Sequence, residues 1–110
     1  MALKFKVVIS ALAADNLDDI HGFIYNQYKD MDAADRVVGR ITAYIKRNLA
    51  FNPFIGRILF EYKLKTKDVR RITVEKRYNI FYRVDEQAQE VYIIKIADGR
   101  QGVKHQLLGL

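Results

Sequence analysis

The sequence contains no cysteine, and that one absence removes disulfide staples, thiolate metal ligands and cysteine nucleophiles together. It also fits a reducing compartment. No apolar run approaches the ~20 residues that a membrane-spanning helix needs, and Lys4 and Lys6 interrupt Met1–Ser10 where a signal peptide requires an unbroken apolar segment. A cytoplasmic chain without a membrane partner is therefore expected. The glycine-rich phosphate loop, the zinc-ligand spacing and the serine triad are all missing. Only two histidines occur, His21 and His105, too far apart and too poorly accompanied to suggest a metal site, and neither metal nor cofactor is expected.

At 110 residues, half of them apolar or aromatic, the chain is long enough for one hydrophobic core and too short for two. A single domain over residues 1–110 follows. The net charge is +6, and from Arg57 onward basic residues clearly outnumber acids. A positive field of this kind attracts polyanions, whether nucleic acid or an acidic protein segment, although a charge of this size also serves solubility alone.

Leu3–Ser10 alternates, with Leu3, Phe5, Val7 and Ile9 on one face, which is the period of a half-buried strand. Ser10 then suits the N-cap of a helix in which Ala13, Leu17, Ile20, Ile24 and Tyr28 recur at helical spacing, ending near Tyr28–Asp30. Asp32 is read as the cap of a second helix, with Val37, Ile41, Ile45 and Leu49 in one stripe, until Asn52-Pro53 stops it. So short a joint makes the two helices an antiparallel hairpin. Phe54–Lys67 reads as irregular, and three β-type runs follow: Val69–Glu75, Tyr78–Val84 and Glu90–Ala97. After the Asp98-Gly99 turn, His105–Leu110 suits a short helix or strand. The fold class is α+β: an N-terminal strand, a helical hairpin and an antiparallel β-meander, with the helices on one face of the sheet and the other face open.

Two stretches offer chemistry. Adjacent Arg70 and Arg71 lie on one strand, so alternation sends one to the helix side and the other to the open face; Arg71 is the open one if Ile72 and Val74 face the core, Arg70 if a bulge intervenes. An arginine on a rigid strand can hold a phosphate with two parallel hydrogen bonds, but an arginine paired with Glu75 is the commoner arrangement. In the run from Tyr78 to Val84, Tyr78, Ile80 and Tyr82 share one face while Phe81 and Arg83 share the other. Aromatics beside arginines suit single-stranded RNA, yet aromatics at alternate strand positions are more often sheet core. His105, beside Arg100 and Lys104, is placed to move a proton or simply to be solvated.

The phrases Arg70-Arg71-Ile72-Thr73-Val74, Tyr78-Asn79-Ile80-Phe81-Tyr82-Arg83-Val84-Asp85 and Val91-Tyr92-Ile93-Ile94-Lys95-Ile96-Ala97-Asp98-Gly99-Arg100, in that order, resemble the RelE/ParE toxin superfamily over nearly the whole chain. Asn52-Pro53-Phe54-Ile55-Gly56-Arg57 is similar to that family's connection into the sheet. The resemblance implies the toxin of a type II toxin–antitoxin system, with growth inhibition and plasmid stabilisation as its roles and a cognate antitoxin as its partner. In the ribonuclease branch, Arg70 or Arg71 and Arg100 would stabilise the phosphate and His105 would assist proton transfer. Lys63, Lys65, Arg77, Tyr78 and Arg83 would bind target or RNA, and cleavage of ribosome-bound mRNA would need no metal. No tyrosine follows Asp98-Gly99-Arg100-Gln101, however, and the Gly99-Arg100 ending looks more like the ParE branch, whose target is DNA gyrase. A noncatalytic interaction module of the same fold is the third reading.

Overall fold

The computed structural model describes residues 4–110; Leu3, the first residue of the expected opening strand, lies outside them. The first strand, β1, is Lys6–Ile9, and α1 is Ala11–Tyr28. Ser10 joins them by two bonds. Its Oγ accepts from the Ala13 N–H at 3.0 Å, as an N-cap does, and donates to the Ile94 carbonyl at 2.9 Å, so the helix start is pinned to the sheet. Lys29, with φ 53°, ends α1 in the left-handed conformation.

The second helix, α2, is Met31–Tyr44, and its N-cap is Asp30, whose Oδ1 accepts from the Ala33 N–H at 3.1 Å. That corrects the expected cap at Asp32, which lies inside the first turn. The turn between the helices is shorter than the periodicity suggested. A π-helical turn, Ile45–Leu49, prolongs α2, and through this adjustment both Ile45 and Leu49 are fully buried.

After a single 3-10 turn at Pro53–Ile55 come β2 (Arg57–Ile58), β3 (Arg70–Val74), β4 (Tyr78–Asp85), β5 (Glu90–Asp98) and the one-turn α3 (Val103–Gln106). The sheet order is β1-β5-β4-β3-β2. β3 to β5 form the expected antiparallel meander, β2 extends it antiparallel from within the stretch read as irregular, and β1 runs parallel to β5, which makes the sheet mixed. Among the described residues, no helix is long and apolar enough to cross a membrane.

One face of the sheet is covered along its length and the other in part. On the helix side, Ile72, Val74, Tyr78, Ile80, Tyr82, Val91, Ile93 and Ile96 pack against Ala13, Leu17, Ile41, Ile45 and Leu49. The other side was expected to be open, and it is open only in part: Thr73, Arg83 and Tyr92 are exposed on it. Phe81 and Ala97, with the half-buried Ile94, are apolar there, so water would meet a hydrophobic strip; Leu59, Leu64, Val69, Leu107 and Leu110 close over it. Leu108, which points away, stays exposed.

Candidate functional site: an arginine pair on a free sheet edge

β1 pairs with β5 only from Glu90 to Ile93, so the last part of β5, paired with β4 on one side, has no strand on the other. The break is built in. Phe81 pairs with Lys95 and Tyr82 with Ile93, which leaves Ile94 as an extra residue, a bulge that bends β5 away where α1 begins. Asn16 on α1 then takes over as edge partner, its Oδ1 accepting from the Ile96 N–H at 2.9 Å. Beyond that contact α1 and β5 diverge around a cleft of about 650 Å³, lined by Ile20, Phe23, Arg77, Tyr78, Ile96 and Arg100 among others.

Two turns deliver the arginines. Between β3 and β4 the Arg77 N–H donates to the Val74 carbonyl at 3.2 Å, with Glu75 and Lys76 both at φ 55°. This left-handed pair matches the twist of a hairpin but strains residues that are not glycine, and Arg40 on α2 holds Glu75 by a 2.6 Å bond. Gly99 follows β5, its N–H donating to the Arg77 carbonyl at 2.6 Å; a Cβ there would meet that carbonyl oxygen at 2.6 Å, so the close approach requires glycine.

Asp98 lies between the two guanidiniums. Arg77 Nη2 donates to Asp98 Oδ2 at 2.9 Å and Arg100 Nη2 to the same oxygen at 3.0 Å, while the Arg100 N–H donates to Oδ1 at 2.9 Å. Burial pushes the Asp98 carboxyl up, but the hydrogen bonds from Arg100 and Arg77 outweigh it and hold the group well below the usual carboxylate range. One negative charge against two positive ones leaves the cluster cationic. Both guanidiniums also lie near the Phe23 ring, Arg77 Cζ at 5.8 Å and Arg100 Cζ at 5.9 Å from its centroid.

A depressed native pKa makes a stability contribution that is present above the unfolded value of about 4 and is lost as pH falls from there toward the native value. Acid unfolding is thus coupled to this ion cluster. In Asp98→Asn the fall in thermal midpoint on acidification below about pH 4 is expected to be shallower than in the parent, as read by circular dichroism melts.

The residues singled out in the sequence separate into two groups. Arg71 lies on the sheet face away from the helices, opposite Phe81 and beside Arg57, with exposed Arg83 diagonal to it on β4. Lys63 and Lys65 are exposed on the connection between β2 and β3. The cleft holds the second group, Arg77, Arg100 and His105. Between the groups stands the apolar patch of Phe81, Ala97, Leu107 and Leu110, so the guanidiniums do not form one continuous surface.

Arg70 belongs to neither group. With Ile72 and Val74 in the core, alternation turns Arg70 to the helix side, where Nη1 donates to the Gly56 carbonyl at 2.7 Å and the Phe54 carbonyl at 3.2 Å, and Cζ lies 5.1 Å from the Phe54 ring. It fastens the connection ahead of β2 to the sheet. Tyr78 is 3% exposed, with Arg77 Cζ 5.2 Å from its ring, so its face is not a platform for an RNA base. Burial also pushes its hydroxyl pKa up.

Sequence reasoning missed Phe23, Asn16 and the role of Asp98. Phe23 falls off the buried stripe of α1 and is half exposed, and a large aromatic outside its helix's apolar face was the available signal. Asp98 was read as a turn former; an acid two residues before an arginine and diagonal to a hairpin arginine, one position beyond its cross-strand partner Tyr78, is also an ion-pair pattern.

Two solved structures share this arrangement of strands and helices. One is the toxin–antitoxin complex RelBE2 from Mycobacterium tuberculosis, with 14% identity and a TM-score of 0.65 over 87% of this chain and 92% of that one. The other is the chromosomal ParDE toxin–antitoxin system from P. aeruginosa, with 21% identity and a TM-score of 0.68 over 88% of this chain and 98% of that one. No curated protein matches the chain significantly. The fold is thus the α+β fold of the RelE/ParE toxins. The sequence model of the family described as "ParE toxin of type II toxin-antitoxin system, parDE" matches residues 7–103, and the chain belongs to that family.

Proposed function

We propose that this toxin arrests growth by binding an essential target, DNA gyrase, rather than by cutting RNA, and that a cognate antitoxin neutralises it. The observation that carries this reading is the separation of the groups a ribonuclease would use. Arg70 is committed to the Phe54 and Gly56 carbonyls, Arg71 lies across an apolar patch from Arg100, and Arg100 is bonded to Asp98. Phosphate stabilisation and proton transfer need donors converging within hydrogen-bond reach of one reacting centre. Membership of the ParE family points the same way. The antitoxin half of the proposal rests on that membership and on the paired systems of the two structural relatives.

Purified chain added to gyrase is expected to inhibit supercoiling and to accumulate cleaved DNA, and addition of the antitoxin is expected to reverse both. Unchanged supercoiling at saturating toxin removes gyrase as the target. One observation favours the alternative of a RelE-like mRNA ribonuclease: Arg100 and His105 line the same cleft. Primer extension on translated mRNA distinguishes it, since codon-phased cleavage belongs to that alternative alone.

A further inference from the structure

Three large apolar side chains stay about half exposed where the chain passes from α2 to β2: Phe51, Phe54 and Ile55. They form one patch. The Phe5 N–H donates to the Ala50 carbonyl at 2.7 Å and the Phe5 ring meets the Phe54 ring edge-on at 6.3 Å, so the start of β1 links Phe51 to Phe54. β1 meets β5 at Glu90, whereas the cleft begins at Lys95, which puts the patch at the other end of β5 from the cleft. Cations stand on both rings. Lys4 Nζ lies 6.0 Å from the Phe51 centroid and Arg70 Cζ 5.1 Å from that of Phe54, while Lys46 and Arg47 are exposed about one turn before Phe51. Between Asp35 and Glu61 the chain has no carboxylate side chain. Of the acids on adjoining segments, Glu61 is held by Arg57 at 2.8 Å, Glu90 is in register with Lys6, and Asp68 follows Lys67. Asp85, which accepts from the Ala88 N–H at 3.1 Å, and exposed Glu86 are left to set against Lys4, Lys46, Arg47 and Arg70, so the corner stays cationic.

We propose that this patch lays the chain on the surface of an anionic lipid bilayer, with Phe51, Phe54 and Ile55 entering the headgroup region and Lys4, Lys46 and Arg47 meeting the lipid phosphates. A chain with no segment able to span a bilayer can still lie on one. The apolar side chains gain by leaving water, and a cation beside the same ring reaches a phosphate without itself being buried. Charge decides for lipid over a second copy, since a two-fold contact through the patch would bring Lys4, Lys46 and Arg47 against the same set. A nucleic acid would use the cations and leave the three apolar side chains in water. The contact does not depend on gyrase, whose inhibition is read in a separate assay.

The test is co-sedimentation of the whole chain with vesicles of phosphatidylglycerol or of phosphatidylcholine. The chain is expected to sediment with phosphatidylglycerol at least about tenfold more tightly than with phosphatidylcholine, and less tightly as salt is raised. Phe51→Ser with Ile55→Ser, both at exposed positions, should weaken the binding at least about tenfold, and so should Lys46→Glu with Arg47→Glu. Tyr28→Ser, an exposed aromatic at the other end of the helical hairpin, should leave it unchanged. The chain has no tryptophan, so Phe51→Trp sets a lone indole in the patch, and its emission is expected to shift to shorter wavelength with phosphatidylglycerol vesicles. Equal binding to both lipids, the same loss in Tyr28→Ser, or no loss when Phe51 and Ile55 are replaced would overturn the proposal. Binding to a soluble peptide of alternating glutamate and leucine but not to vesicles would overturn it in favour of an acidic protein. A dimer in sedimentation velocity that Phe51→Ser abolishes, with no vesicle binding, would overturn it in favour of a second copy.

Discussion

Gly56→Ala is expected to lower the unfolding free energy by about 3 kcal/mol, equivalent to roughly 12–24 °C in Tm for a domain of this size. Gly56 lies where the connection after α2 passes over the sheet, and a Cβ there would stand 2.5 Å from the Tyr82 hydroxyl and 3.0 Å from the Arg71 carbonyl. Tyr82 cannot withdraw. It is fully buried, its Oη accepts from the Gly56 N–H at 2.8 Å, and the same hydroxyl donates to the Pro53 carbonyl at 2.8 Å. Burial pushes the Tyr82 pKa up, as expected for a hydroxyl kept neutral in the core. Tyr82→Phe should cost about 1–3 kcal/mol by orphaning an amide and a carbonyl. The double variant should cost less than the sum, because removing the hydroxyl also removes the nearest atom that the new methyl meets. Chemical denaturation of the four proteins measures that coupling, and strict additivity would contradict this packing.

Gln106→Ala is expected to release α3 from the sheet without unfolding the rest. Gln106 is buried; its Oε1 accepts from Asn79 Nδ2 at 2.6 Å, and its Nε2 donates to the Gln101 carbonyl at 2.6 Å. Asn79 Oδ1 in turn accepts from Thr73 Oγ1 at 2.7 Å, so one side chain completes a polar network that reaches β3. Its removal leaves the buried Asn79 amide without that partner, at a cost of about 1–3 kcal/mol. The loss falls on a segment held otherwise by Leu107, Leu110 and the bonds from Lys95 Nζ to the His105 and Leu108 carbonyls. Native-state hydrogen exchange should show faster exchange at the Gln106, Leu107 and Leu110 amides, with the centre of β4 unchanged.

Elements with a strong period were legible in the sequence: α1 from Ala13, Leu17 and Ile24, α2 from its stripe and Pro53, and the three long strands from alternating apolar residues. Ser10 was legible as a cap because a cap is local chemistry. The true cap of α2 was not, since Asp30 and Asp32 satisfy the same local rule and only the turn geometry chooses between them. The second face of the sheet escaped for a different reason. Its cover comes from Leu59, Val69, Leu107 and Leu110, single apolar residues in irregular segments, where no period marks which way a side chain points. The arginine split followed from that error, for once the apolar cover is in place Arg71 and Arg83 are parted from Arg77 and Arg100.

On the proposed function, binding and not proton transfer is the basis of toxicity, and His105 provides the most direct test. Its side chain is exposed, so His105→Ala should fold as the parent does. Growth after induction is the measurement, with circular dichroism confirming the fold. Arrest as complete as that of the parent chain is the predicted result; a folded His105→Ala protein that no longer slows growth would contradict it.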